Sequence, residues 1–145
     1  MIVLDTNVVS EVLKPHPDMR VVSWLESLND DVAITAITLA ELLAGLRRLP
    51  DGARKSELTF RVETAIRPYR RAGAVISFDE AAASHYADIL AARDGAGLPI
   101  ATADAQIAAI CRSRVSVCVT RNTKDFLLTG VTLFDPWTGE HHPPS

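Results

Sequence analysis

Five short β-prone runs punctuate this chain: "IVLD" at 2–5, "VAIT" at 32–35, "AVISF" at 74–78, "VSVCVT" at 115–120 and "VTLFD" at 131–135. The first is continuously apolar up to its carboxylate instead of alternating. Such a run marks a parallel strand covered on both faces. Strands interleaved with helices restrict the chain to a layered α/β fold around a parallel sheet.

The segments between the runs read as helices. Thr6 and Asn7 can cap a helix over Val8–Leu13, which "KPHPD" at 14–18 breaks. Val21–Leu28 forms a second. In "TLAELLAGLRRL" at 38–49, Leu39, Leu42, Leu43 and Leu46 make a stripe at helical spacing. A longer, more polar helix runs over Ala53–Arg71. Asp79 caps a helix from Glu80 to Asp94, another spans Ala103–Arg112, and Asp125–Leu128 gives one helical turn. Residues 1–137 make one domain, and 138–145, "TGEHHPPS", are a flexible tail with little to fold it.

Composition narrows the class. The 145 residues are 48% hydrophobic, enough for a core. Cys111 and Cys118 are too few for a disulfide scaffold and read as reduced core residues. No apolar run approaches a membrane span, and the N-terminus lacks a signal segment, so a soluble cytoplasmic protein is expected. With 15 Lys+Arg against 18 Asp+Glu the net charge is −3, which does not advertise a nucleic-acid binder. The basic residues are clustered, however. Arg47, Arg48, Arg54, Lys55, Arg61, Arg67, Arg70 and Arg71 share one window with only Asp51, Glu57 and Glu63. That patch can hold phosphates or form a solvated helix face.

Four acids do not suit a bland α/β fold. Ligands of open α/β sheets sit outside the carboxyl ends of the strands. Asp5 stands at such an end, and so does "TRNTKD" at 120–125, with Asn122 and Asp125. Asp104 shares a helix face with Ile107, Ala108 and Cys111. Glu41 lies on a face of Ile37, Ala40, Ala44 and Gly45 and is expected to be buried. Each acid has a structural alternative: Asp5, Asp104 and Asp125 as caps, Glu41 as a partner of Arg47 or Arg48. Converging carboxylates about 4 Å apart repel by ~4 kcal/mol at an effective dielectric of 20. A cluster then requires protons or a cation, and an all-oxygen set selects a hard one, Mg²⁺ or Mn²⁺. Phosphodiester hydrolysis fits such a site.

Four motifs in order, "IVLDTNVVSE", "AITLAELLAGLRRL", "LPIATADAQIAAI" and "VTRNTKDF", resemble those of PIN-domain ribonucleases, most of all the VapC and FitB group of type II toxins. The resemblance runs from Met1 to about Trp137. It implies a three-layer α/β/α sandwich with a short central parallel sheet. It also implies a Mg²⁺- or Mn²⁺-dependent endoribonuclease, acting as the toxin of a toxin–antitoxin module. Carried over by motif, the acids are Asp5, Glu41, Asp104 and Asp125. Asn122 stands where some relatives carry Asp and would reach the metal through water. Thr6 and Thr120 would hydrogen-bond the carboxylates. The implied partners are a cognate antitoxin, an RNA substrate and a second copy of the chain, in a homodimer. The alternatives are a catalytically silent PIN-fold module that binds RNA or protein, and a phosphatase with Asp5 as nucleophile. The phosphatase would want a second Asp at position 7, which is Asn.

Overall fold

A computed structural model describes residues 1–145. In chain order the elements are β1 (Ile2–Leu4), α1 (Thr6–Val12), α2 (Met19–Glu26), β2 (Val32–Thr35), α3 (Ala36–Arg48), α4 (Ala53–Arg71), β3 (Val75–Ile76), α5 (Glu80–Gly95), α6 (Thr102–Ser113), β4 (Val117–Val119), a 3-10 turn (Thr123–Phe126), β5 (Leu133–Asp135) and β6 (Glu140–His142). The sheet order is β3-β2-β1-β4-β5-β6. The first five strands run parallel, and β6 pairs antiparallel with β5.

Strand residues alternate between two cores, as the pleat requires. Val3, Ala33, Cys118 and Leu133 face the layer of α5 and α6, where Ile89, Ile107, Ala108 and Cys111 are buried. Leu4, Ile34, Val119 and Phe134 face Val8 and Val9 of α1 and Val21 of α2. The three-layer sandwich follows. A smaller core of Leu46, Val62 and Ile66 joins α3 to α4. Both cysteines are free and buried, and the Cys118 thiol is held well up by its hydrogen bond with Cys111 and by burial.

The chain steps outward from β1 through β2 to β3, then crosses back through α5 and α6 to the far side of β1. β2 lies on one side of it and β4 on the other, with Leu4 beside Val119. This reversal opens a crevice at the carboxyl ends of β1 and β4, the usual ligand position in such sheets. Asp5 N donates to Val119 O at 2.9 Å, so Asp5 and Thr120 emerge side by side into that crevice.

Two expectations are corrected. The third strand is only Val75–Ile76 instead of 74–78. The segment expected to be a tail folds back as β6, with Leu133 opposite His142 and Asp135 opposite Glu140. Trp137 N donates to Asp135 Oδ1 at 2.8 Å, and Gly139 takes φ +78° to complete the reversal. Ser145 caps the arrangement by accepting from Gly130 N at 3.0 Å.

Candidate active site

The cleft at the carboxyl edge of the sheet has a volume of about 430 Å³. Asp5, Glu41 and Asp104 line it, together with Asn7, Arg121 and Asn122. Four different elements supply these groups, and the switch in strand order brings them together.

Asp5 is buried and doubly employed. Its Oδ1 accepts from Thr6 N at 2.8 Å, so the capping alternative holds in part. Its Oδ2 accepts from Thr120 Oγ1 at 2.8 Å and from Asn7 Nδ2 at 3.3 Å. Burial raises the Asp5 pKa above the usual carboxylate range. The hydrogen bonds from Thr120 and Thr6 oppose the rise, and the charges of Glu41 and Asp125 add to it.

Glu41 is exposed, which corrects the expectation that it is buried. On the small-residue face of its helix Ala40 and Gly45 are also exposed, while Ile37 and Ala44 are half-buried. Glu41 bonds neither Arg47 nor Arg48. Its Oε1 accepts from Thr6 Oγ1 at 2.7 Å, and Thr6 Oγ1 lies 2.9 Å from Thr38 Oγ1. Both threonines singled out in the sequence thus touch site carboxylates.

Asp104 sits in the first turn of α6, whose N-cap is Ala101, so it does not cap its own helix. No hydrogen bond holds it. Its position favours negative charge through the helix dipole. Burial nevertheless pushes its pKa up to about 6, with the charges of Asp5, Asp125 and Glu41 adding and Arg93 opposing. Asp125 lies in the 3-10 turn and does not line the cleft, although its charge reaches Asp5 and Asp104. Asn122 lines the cleft, and its backbone N donates to Thr120 Oγ1 at 3.1 Å. No group of three or more acids, histidines or cysteines closes tightly enough to hold an ion unaided.

Four residues at or behind this site carry more than the sequence suggested. Asn7, read there as a cap, bridges Asp5 and Thr120, its Nδ2 lying 3.2 Å from Thr120 Oγ1. Glu11 is buried and binds Lys14 Nζ and Asp18 N, each at 3.0 Å, fixing the α1–α2 turn. Arg121 stacks on Trp137 at the cleft wall. Arg93 is buried and donates to Leu98 O, Pro99 O and Leu127 O, at 2.8, 3.1 and 2.7 Å. It therefore ties the loop before α6 to the segment after Asp125. The motifs "LDTN" and "VTRN", which contain them, were the available signals for Asn7 and Arg121. Arg93 had none.

A groove of about 530 Å³ shares Thr6, Ser10, Lys14 and Glu41 with the cleft. It continues between α1, α3 and α4 over Leu13, Leu42, Leu46, Leu58 and Val62. Of the basic cluster, Arg54 and Arg61 line this groove. Lys55 and Arg70 are paired with Asp51 and Glu63.

Comparison with known proteins places this geometry. Residues 2–129 match the family described as PIN domain. Toxin FitB of Neisseria gonorrhoeae is 44% identical over 138 residues, covering 94% of this chain and 99% of its own length. VapC ribonuclease Y4jK of Sinorhizobium fredii is 38% identical, covering 94% and 98%. In the crystal structure of FitAcB from Neisseria gonorrhoeae, a chain 42% identical superposes with a TM-score of 0.87, covering 94% of this chain and 99% of that one. The chain belongs to the PIN-domain family.

Proposed function

We propose that this protein is a divalent-metal-dependent endoribonuclease and the toxin of a toxin–antitoxin pair. The observation that carries the reading is the delivery of Asp5, Glu41 and Asp104 from separate elements to one cleft, with no ion pair neutralising any of them. Kinship with a VapC ribonuclease and with a toxin supports it.

The donor set suits a hard cation. All the donors are oxygens, and Mg²⁺ takes one or two carboxylates while keeping several waters, so a closed protein cage is not required. Asp5 and Asp104 would hold Mg²⁺ or Mn²⁺, with Glu41, Asp125 and Asn122 completing the ring directly or through waters. The cation would supply Lewis acidity, favouring ionisation of water and offsetting charge on the phosphate. The protein does the rest. Thr120, Asn7 and Thr6 N fix the Asp5 carboxylate. Thr6 engages Glu41 at Oε1 only, which leaves Oε2 available to accept a proton from the attacking water.

The groove beside the cleft is the docking place for the antitoxin. Its apolar floor suits an amphipathic helix, and Glu41 at its end suits a basic side chain. Solved neighbours from a toxin–antitoxin complex support such a partner. The function is tested by incubating purified protein with cellular RNA. Discrete cleavage in Mg²⁺ and none in EDTA is expected. RNA that survives intact in Mg²⁺, or is cut equally in EDTA, contradicts the reading.

A further inference from the structure

The cleft is lined by four acids, Asp5, Glu11, Glu41 and Asp104, and by two cations, Lys14 and Arg121. Lys14 is committed to Glu11 at 3.0 Å. Arg121 is committed to no acid. None of the molecule's ion pairs includes it, and Asp18, which feels its charge, is bonded at 2.7 Å to Arg20 instead. An arginine on a long stem beside an anionic cleft would ordinarily fold onto a carboxylate. Here its guanidinium carbon lies 5.1 Å from the centroid of the Trp137 ring.

Both ends of that pair are anchored. Trp137 is buried, and its backbone is tied to Asp135 Oδ1. Arg121 N donates to Asn7 Oδ1 at 3.3 Å, and Asn7 in turn bonds Asp5. The guanidinium is thus exposed, stacked on a fixed platform and referenced to the same network that orients Asp5. A planar, stacked guanidinium with its N–H edges free presents a fork suited to phosphate oxygens. An anionic cleft repels RNA, so a nuclease of this design needs a cation that grips the backbone without neutralising the acids.

We infer that Arg121, held on Trp137, is a phosphate-binding subsite that seats an RNA phosphodiester at the mouth of the acidic cleft. The inference rests on the nuclease reading above and adds to it the residue that grips the substrate backbone.

The test uses metal-free protein in EDTA at low salt and a short fluorescent 2′-O-methyl oligoribonucleotide of mixed sequence, which resists cleavage. Fluorescence anisotropy is followed over a salt series for wild type, Arg121→Met and Arg121→Lys. Losing one phosphate contact lowers the slope of log affinity against log salt by about 0.7 for a single strand. Arg121→Met should show that drop together with about tenfold weaker binding at low salt. Arg121→Lys should keep the wild-type slope, because the charge remains, but bind more weakly than wild type, because the stacked fork is lost. Wild-type slope and affinity in Arg121→Met, or no binding by wild type itself, would overturn the subsite. So would a variant that loosens only the complex with the antitoxin, which would assign Arg121 to the protein partner. Cleavage of cellular RNA by wild type in Mg²⁺ is measured alongside. If wild type cuts and Arg121→Met binds normally, the subsite alone fails; if wild type does not cut, the nuclease reading fails independently.

Discussion

Thr120 Oγ1 lies 2.8 Å from Asp5 Oδ2, across 115 positions of sequence. The same hydroxyl accepts from Asn7 Nδ2 and from Asn122 N. One buried oxygen therefore joins the ends of β1 and β4 and sets the orientation of the most buried acid in the cleft. Thr120→Val keeps the shape and deletes these bonds. Denaturant unfolding should show a loss of about 1–3 kcal/mol, from donors left unpaired. Mn²⁺ affinity, read by calorimetry, should fall roughly 10- to 100-fold, as for other groups that orient metal ligands.

Asp104 gives the metal-free protein a defined pH dependence. Its folded pKa is raised from 3.8 to about 6, chiefly by burial. The folded state then binds more protons than the unfolded one between those values, so this group's effect is a fall in stability as pH rises through the interval. Below it the penalty is absent, and above it the penalty is complete. Asp104→Asn removes the charge and breaks no hydrogen bond. In EDTA its Tm should exceed that of wild type by a margin that widens from acid pH up to about pH 6 and then levels. A constant difference across that range would contradict the assignment. Asp5→Asn should gain less, because Asp5 accepts three hydrogen bonds that a neutral amide cannot all accept.

Arg93 tests how the site is braced. Its three bonds to backbone carbonyls link the loop before α6 with the segment after Asp125. Arg93→Met leaves those carbonyls without their donor. Urea unfolding should report a loss of about 2–4 kcal/mol, within the upper range for single substitutions. Arg93→Lys should recover only part of it, since an ammonium cannot span the planar fork.

Gly45 separates the groove from the cleft chemistry. It lies inside α3, lines the groove, and has nothing within 4 Å of the position its Cβ would take. Gly45→Ala should stabilise the free protein by about 0.5–1 kcal/mol, the ordinary helix-interior difference. Gly45→Phe should fill the groove and weaken the antitoxin complex in pull-down or calorimetry, while RNA cleavage by the free protein continues.

Much of this was legible in the chain because local rules govern it. The bounds of α4 and β2 follow from helical spacing, a Gly-led turn and a β-prone run. Asp79 announces α5 because a side-chain acceptor ahead of "EAAA" is a cap, and it does accept from Ala82 N. Glu41 was misjudged for a physical reason. Periodicity tells which residues share a face, not whether another element covers that face. β6 was missed because "EHH" has no strand pattern of its own and exists by pairing with β5. Arg93, next to Asp94 near a helix end, reads as solvated until the loop carbonyls that surround it are known. Asn7 reaches Thr120 across 113 positions and Arg121 N across 114, and Arg121 stacks on Trp137 beyond the intervening β5, contacts that no short local window contains.

The central claim is that the acids form one divalent-cation site. Calorimetric titration of Mn²⁺ into wild type and into Asp104→Asn tests it most directly, because Asp104 makes no other bond in the fold that the substitution would disturb. Saturable binding by wild type, with binding lost or at least about tenfold weaker in the variant, is the expected result. Equal affinity in the two proteins would contradict the claim.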